Sequence, residues 1–192
     1  LPPEAFQEVA PVAVDLCAGG RRLHGSVRGL TRWGLLQVKP AKFKPADLLD
    51  LWLRLVVLAA GDPAGAPQAA HLVAHGDRDT VVRHHLSAPS DPDRILAPLV
   101  ELLMEGSRRP LPFFARCASE LTRPVGSRVR TSPLARALAA WFGNQGSPGE
   151  SADPWVARCF GRVEPHPLDD EFQALADRVF APLWAHWTEE PA

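Results

Sequence analysis

The segment 39–44 has the clearest potential for chemistry, because its sequence, Lys-Pro-Ala-Lys-Phe-Lys, places three lysines beside one aromatic ring. Ammonium groups neutralise the phosphates of a nucleic acid, and a ring such as that of Phe43 stacks on a base. Prolines at positions 40 and 45 stiffen the segment. A second interpretation stays open, in which Phe43 packs into the core while Lys39, Lys42 and Lys44 are simply solvated.

The histidines, serines and cysteines of the chain do not form a recognisable catalytic or metal-binding motif. Four histidines in two predicted strands suggest zinc, but no cysteine or carboxylate follows at ligand spacing, and strand neighbours point to opposite faces. No serine lies in a nucleophile motif, and the three cysteines form no Cys-x-x-Cys pair, as is typical of idle thiols in a reducing compartment. These residues are His71, His75, His84 and His85; Ser87, Ser132 and His166; and Cys17, Cys117 and Cys159. We expect no catalytic residue, no metal and no cofactor.

Charge is distributed unevenly along the 192 residues, although the net charge is only −1. Residues 16–46 contain seven basic side chains and no acid, and residues 106–149 contain seven arginines and one glutamate. From residue 150 onward, nine acids face three arginines. The two basic stretches predict a polyanion or an acidic protein as partner. Solvated basic faces without a partner are the alternative.

Hydrophobic periodicity predicts three tandem strands, at 12–18, 22–30 and 34–39, which form an antiparallel meander. Pro40 is expected to stop the third strand. A helix then opens at Pro45, where a missing N–H does no harm, and runs to about residue 60. Because apolar side chains cover most of its sides, we expect this helix to be buried.

The middle of the chain continues the mixed pattern. A strand pair at 68–75 and 80–87, turned at 76–79, is followed by a helix at 92–105. This order indicates an α/β or α+β domain and differs from a doubly wound dinucleotide-binding fold.

Beyond residue 106 the sequence predicts helices and no strands. The expected elements are helices at 112–121 and 132–142, a surface loop at 143–149, and a final helix after Pro167-Leu168 whose apolar stripe extends to Trp187. This half is predicted to be a small helical bundle.

Three strands, a buried helix and further strands are the core layout of the PD-(D/E)xK nuclease fold. Longer segments resemble the RecC family, the gamma subunits of bacterial exodeoxyribonuclease V. They are residues 32–53, Pro-Leu-Pro-Phe-Phe at 110–114, and the closing Phe172…Val179-Phe180-Ala181-Pro182-Leu183. The resemblance covers most of the chain. It implies an α/β, restriction-endonuclease-like domain over residues 1–107, inactivated, followed by a helical bundle over residues 108–192.

The positions that carry nuclease chemistry in related domains are altered here. Those domains have Gly-x-x-Asp on one strand and Asp-x-Lys on the next, and the two carboxylates hold Mg²⁺. This chain has Arg28 in place of the first carboxylate and Gln37 in place of the second, so only Lys39 is retained. An arginine repels Mg²⁺, and we therefore predict no metal and no cleavage. The alternative is an active nuclease whose carboxylates come from Asp15 or Asp50.

The resemblance also implies partners. RecC subunits assemble with the RecB helicase–nuclease and the RecD helicase, and this region would guide single-stranded DNA or unwound duplex. The candidate DNA contacts are Arg28, Arg32, Lys39, Lys42, Phe43 and Lys44. A purely protein-binding scaffold is the other alternative. Because the chain opens on Leu1 and lacks a signal peptide or an apolar span of membrane length, we expect part of a longer cytoplasmic protein without membrane contact.

Overall fold

The computed structural model describes residues 7–61, 65–76, 80–125, 130–161 and 166–191. These residues form two compact units. The sheet unit contains the described residues up to Glu101 and those from Ala185 onward, and the helical unit is Leu102–Trp184. That each unit folds as an independent domain, as the predicted boundary after residue 107 implies, stays a prediction.

The elements follow in chain order. They are β1 (Val12–Ala18), β2 (Arg21–Val27), β3 (Leu30–Thr31), β4 (Gly34–Lys42), α1 (Pro45–Gly61), β5 (Ala69–His75), β6 (Val81–Ser87), α2 (Pro92–Gly106), α3 (Ala115–Thr122), α4 (Pro133–Phe142), β7 (Gly143–Asn144), β8 (Ser147–Pro148), α5 (Pro154–Phe160), α6 (Asp170–Ala185) and β9 (Trp187–Pro191). A short 3-10 helix at Glu150–Ala152 precedes α5.

The sheet unit is built on five strands in the order β3-β4-β5-β6-β9. Strands β4 and β5 are parallel and α1 connects them, whereas the other pairs are antiparallel. The predicted three-stranded meander is wrong in one respect, because β1 and β2 form a separate two-stranded sheet. After β2 the chain bends at Gly29, whose φ of 81° is open to glycine, so that β3 instead of β2 pairs with β4.

Helix α1 is buried on most sides, as predicted. Its apolar side chains pack against the sheet and leave one polar stripe that includes Asp50 and Arg54. The buried residues are Leu48, Leu51, Trp52, Leu55, Val56, Leu58 and Ala59.

The two faces of the five-stranded sheet differ in burial. One face is mostly buried, and its buried members on β4, β5 and β6 include Leu35, Ala70, Leu72, His84 and Leu86. The other face stays partly exposed, with Val38 at 53% and Val81 at 44% exposure. Alternation along each strand therefore places one set of side chains in the core and the next at the surface.

Strand β4 is longer than predicted, because it continues through Pro40 to Lys42. Proline cannot donate a ladder hydrogen bond and is tolerated where pairing is interrupted. The register of β4 against β5 breaks between Lys39 and Lys42, which accommodates Pro40. The predicted turn residues 77–79 lie outside the described residues.

The helical unit has an aromatic core. The ring centroid of Phe114 lies 4.8 Å from that of Trp141, 5.2 Å from that of Phe160 and 5.9 Å from that of Phe172. Ser132 caps α4 by accepting the Ala135 N–H at 3.2 Å. Two predictions for this half are wrong, because the predicted surface loop at 143–149 contains the β7–β8 pair and Trp187 is not helical. Helix α5 was not predicted.

Strand β9 is the largest of these corrections, because it returns to the sheet unit and pairs with β6. Its Trp187 indole Nε1 donates to His84 Nδ1 at 3.3 Å. The pairing joins residues about a hundred positions apart, so local periodicity carries no signal of it.

The described residues form a mixed α/β structure with six α-helices and several sheets. None of the helices they form is both long and apolar enough to cross a bilayer.

Candidate nucleic-acid interface

The three residues predicted to occupy nuclease positions, the substituted Arg28 and Gln37 and the retained Lys39, lie along β4 and the segment beside it. Arg28 is exposed, and the next residue, Gly29, accepts the Leu36 N–H at 3.0 Å, which holds this segment against β4. Gln37 is half-buried on β4 opposite Leu72, and its Oε1 is buried without a hydrogen-bond partner. A neutral amide and a solvated guanidinium supply no pair of anionic oxygens of the kind that Mg²⁺ requires.

Lys39 forms an ion pair with Asp47, near the start of α1. The two side chains are 24% and 21% exposed, so this pair is largely shielded from solvent. Partial burial by itself raises the pKa of the Asp47 carboxyl, but the Lys39 hydrogen bond, the Lys44 N–H and both lysine charges outweigh it. The pKa of Asp47 therefore lies below its ordinary value, and Lys39 is a partnered cation.

Asp47 was missed by sequence reasoning as a functional residue. Its Oδ2 accepts the backbone N–H of Lys44 at 2.6 Å, while the Asp47 N–H donates to the Lys44 carbonyl at 2.8 Å. This reciprocal arrangement is the acidic half of a capping box, and the carboxylate also favours the positive end of α1. An acid two residues after Pro45 was the available signal.

The remaining members of the segment 39–44 have different surroundings. Lys42 and Lys44 are exposed. Phe43 is half-buried, and its ring centroid lies 4.1 Å from that of His84, which is fully buried. One side of the Phe43 ring is therefore used in packing, while the lysines on either side of it face solvent.

Arg32 lies in the two-residue turn between β3 and β4 and is exposed. Among the described residues, neither Arg28 nor Arg32 forms an ion pair. Both guanidinium groups can therefore bind a phosphate without first leaving a carboxylate. Together with the lysines of 39–44 they define the basic edge: Arg28, Arg32, Lys39, Lys42 and Lys44.

Asp15 and Asp50, the carboxylates considered as alternative metal ligands, are each paired with an arginine. Asp15 accepts two hydrogen bonds from Arg22, at 2.7 and 2.5 Å, and this interaction lowers the pKa of its carboxyl. Asp50 is paired with Arg54 one turn along α1. In the described part of the chain, no three histidine, cysteine, aspartate or glutamate side chains form a group able to hold a metal ion.

The histidines follow the predicted strand alternation. His84 is fully buried, whereas His71 and His85 lie on the opposite face, with ring centroids 5.1 Å apart. The thiols of Cys17, Cys117 and Cys159 are free. Cys117 is buried, and this burial raises the pKa of its thiol, so the group is an unreactive core residue.

By its structure the chain is a mixed α/β protein with an exposed basic edge on its sheet unit. The family model of the RecC C-terminal domain matches residues 3–124. The chain is 30% identical over 190 residues to the RecBCD enzyme subunit RecC of Mycobacterium tuberculosis H37Rv, an alignment that covers 91% of this chain and 17% of that protein. It is 37% identical over 103 residues to the same subunit of Mycolicibacterium smegmatis, covering 53% of this chain and 9% of that protein.

The chain therefore belongs to the RecC family and contains its C-terminal domain. It spans 17% of the length of the Mycobacterium tuberculosis relative.

Proposed function

We propose that this chain is a non-catalytic DNA-guiding and scaffold module of a RecBCD enzyme. Its sheet unit would be a restriction-endonuclease-like core that has lost its metal ligands. In this proposal the basic edge contacts single-stranded DNA or unwound duplex, and the partners are RecB, RecD and the remainder of RecC. The complex would act in the cytoplasm, in double-strand break repair and homologous recombination.

The observation that carries the proposal is the state of the nuclease positions. Arg28 and Gln37 stand where metal-binding carboxylates would be, and the ammonium of Lys39 is paired with Asp47. The Arg28 guanidinium repels Mg²⁺ and the neutral Gln37 amide binds it weakly, but the guanidinium still attracts a phosphate. Binding of a DNA backbone without cleavage is the function that these residue types support best.

A purely protein-binding scaffold is the second candidate, and a specific observation favours it. The half-exposed sheet face presents Val38 and Val81, which retain 53% and 44% of their exposure. Apolar side chains grouped on a sheet face are typical of a surface that another protein covers. This function would not require the basic edge.

The experiment is fluorescence anisotropy of a labelled single-stranded oligonucleotide titrated with the 192-residue chain, with Mg²⁺ present, at low and moderate salt. We expect saturable binding that weakens as salt rises, because displaced counterions oppose phosphate contacts. The bound signal should remain constant for hours, because in this proposal the metal ligands that would activate water have been lost. An oligonucleotide incubated with EDTA is the control.

The two other functions give different results. A signal that decays with time, but stays constant when EDTA is present from the start, means metal-dependent cleavage and contradicts the non-catalytic assignment. Absence of binding even at low salt contradicts DNA guiding by this chain and favours the protein-binding scaffold.

A further inference from the structure

We infer that Trp33, at the tip of the β3–β4 hairpin, is a stacking platform for an unpaired nucleobase, with Arg32 beside it on the phosphate backbone. The inference rests on the proposed DNA-guiding function and adds base contact to it. Trp33 is not among the DNA contacts predicted from the sequence. The argument depends on how the turn is built, how exposed its ring is, and which charges surround it.

The turn that carries Trp33 is held in one conformation. The Thr31 hydroxyl, on a buried side chain, donates to the Gly34 carbonyl at 2.9 Å and accepts the Trp33 N–H at 3.2 Å. Gly34 has a φ of 112°, and a Cβ at this position would come within 2.5 Å of the Ala69 carbonyl oxygen. Only glycine fits, so the turn is fixed closely against the start of β5.

The Trp33 side chain contributes little hydrophobic stabilisation to the folded chain, because it remains 58% exposed. A large aromatic ring that stays in water forgoes much of the stabilisation that burial gives. An exposed ring on a fixed turn is instead suited to contact an external partner, since little loop entropy remains to be lost on binding.

The charges around the hairpin select the kind of partner. Arg32 precedes Trp33 and Arg28 lies in the segment that leads into β3, and both are exposed and form no ion pair within the described residues. The nearby acid, Glu8, is occupied by accepting the Gly29 N–H at 2.7 Å. One cation next to the exposed indole, and a second at the other end of β3, fit a single-stranded polyanion whose bases are accessible.

The chemistry distinguishes a base from a phosphate. An indole contributes to single-strand binding through the π-face of a base, whichever base it is, whereas a guanidinium contributes through the backbone charge. An oligonucleotide without bases retains the second contribution and loses the first. The role of Trp33 can therefore be measured separately from that of Arg32.

The test compares the 192-residue chain with its Trp33→Ala variant on two labelled probes, oligothymidylate of about 12 nucleotides and an abasic strand of the same length. We expect Trp33→Ala to weaken binding of oligothymidylate by about tenfold and to leave binding of the abasic strand unchanged. Trp33→Phe should retain part of the affinity. Arg32→Ala should weaken both probes and reduce the dependence of log affinity on log salt by about 0.7.

Trp155→Ala is the matched control, because Trp155 is 75% exposed and lies in the helical unit. It should change neither affinity, and thermal unfolding should verify that both variants remain folded. If the unchanged chain binds oligothymidylate and Trp33→Ala binds it equally well, or if Trp33→Ala weakens both probes equally, the stacking assignment is wrong while DNA guiding stands. If the unchanged chain binds neither probe, both proposals are wrong.

Discussion

The two basic stretches of the sequence, residues 16–46 and 106–149, differ in what their cations contact. In the helical unit, two of the arginines hold neighbouring segments together. Arg136 donates to the carbonyls of Glu120, Arg123 and Thr131 at 3.1 to 3.4 Å, and Arg109 is paired with both Glu105 and Glu171. These guanidinium groups stabilise helix ends and neighbouring segments.

In the sheet unit, some of the basic side chains form ion pairs and others do not. Arg28 and Arg32 have no ion pair among the described residues, while Lys39 and Arg22 are paired with Asp47 and Asp15. The cause is the placement of acids and carbonyls, because the helical unit folds acidic residues from after position 150 onto its basic stretch. Equal counts of charge therefore conceal a difference in use: Arg109 and Arg136 stabilise the helical unit, whereas Arg28 and Arg32 of the sheet unit form no ion pair among the described residues.

Arg136→Ala should have the largest effect of the changes that separate these two kinds of cation. The Arg136 side chain is only 12% exposed, and its loss leaves carbonyls at the end of α3 without their donor. We expect the free energy of unfolding to fall by about 2 kcal/mol, and DNA affinity to stay the same. Urea unfolding and anisotropy measure the two quantities.

Arg32→Ala is the matched control for Arg136→Ala, because it removes the same group from an exposed turn. It should leave the urea midpoint unchanged and lower DNA affinity. A variant of Arg136 that keeps its stability, or that loses DNA binding while folded, would contradict the division into structural and available cations.

Asp47→Asn tests the ion pair between Asp47 and Lys39 of the basic edge. The change removes the ion pair with Lys39 and weakens the cap on Lys44, and we expect a loss of about 1 kcal/mol at neutral pH. Because the pKa of Asp47 is lowered in the folded state, its stabilisation is present above the ordinary value of 3.8 and is lost as pH falls through the lower folded pKa. Urea midpoints of both proteins across this range should converge in acid.

The neighbouring Asp50→Asn is the control, because the Asp50 side chain is 51% exposed and pairs with Arg54 at the surface of α1. Its effect should be much smaller. If the midpoints of Asp47→Asn and the unchanged chain stay apart by the same amount at every pH, the carboxylate charge of Asp47 is not what stabilises the start of α1.

Much of the fold was predictable because its signals are local. The apolar positions of α1, the alternation in β5 and β6, and the proline at the first position of α4 each depend on a few neighbouring residues. The pairing of β9 with β6, the separation of the β1–β2 hairpin and the continuation of β4 through Pro40 depend on distant partners. Periodicity cannot predict contacts of that kind.

For the candidate site, the sequence indicated which residue types are present but not which side chains form contacts with one another. The sequence predicted that Arg28 and Gln37 replace nuclease carboxylates and that Lys39 is retained, yet it did not indicate that Lys39 pairs with Asp47. It also gave no reason to select Trp33, whose exposure follows from the geometry of the turn between Thr31 and Gly34. Residue types indicate possible chemistry, whereas tertiary contacts determine which groups remain available for it.

Arg109→Ala should have the smallest effect and gives the sharpest test of the comparison. Arg109 is exposed, as Arg28 is, but its guanidinium is paired with two carboxylates, which already neutralise its charge. Its hydrogen bonds to Glu171 and Glu105 raise its pKa, so it stays charged and paired at every physiological pH. We expect no change in DNA affinity or in its salt dependence, measured by anisotropy, whereas Arg28→Ala should weaken binding and reduce the salt dependence. Equal losses for the two variants would mean that exposure alone governs DNA contact and that pairing within the helical unit does not withdraw its arginines from the DNA.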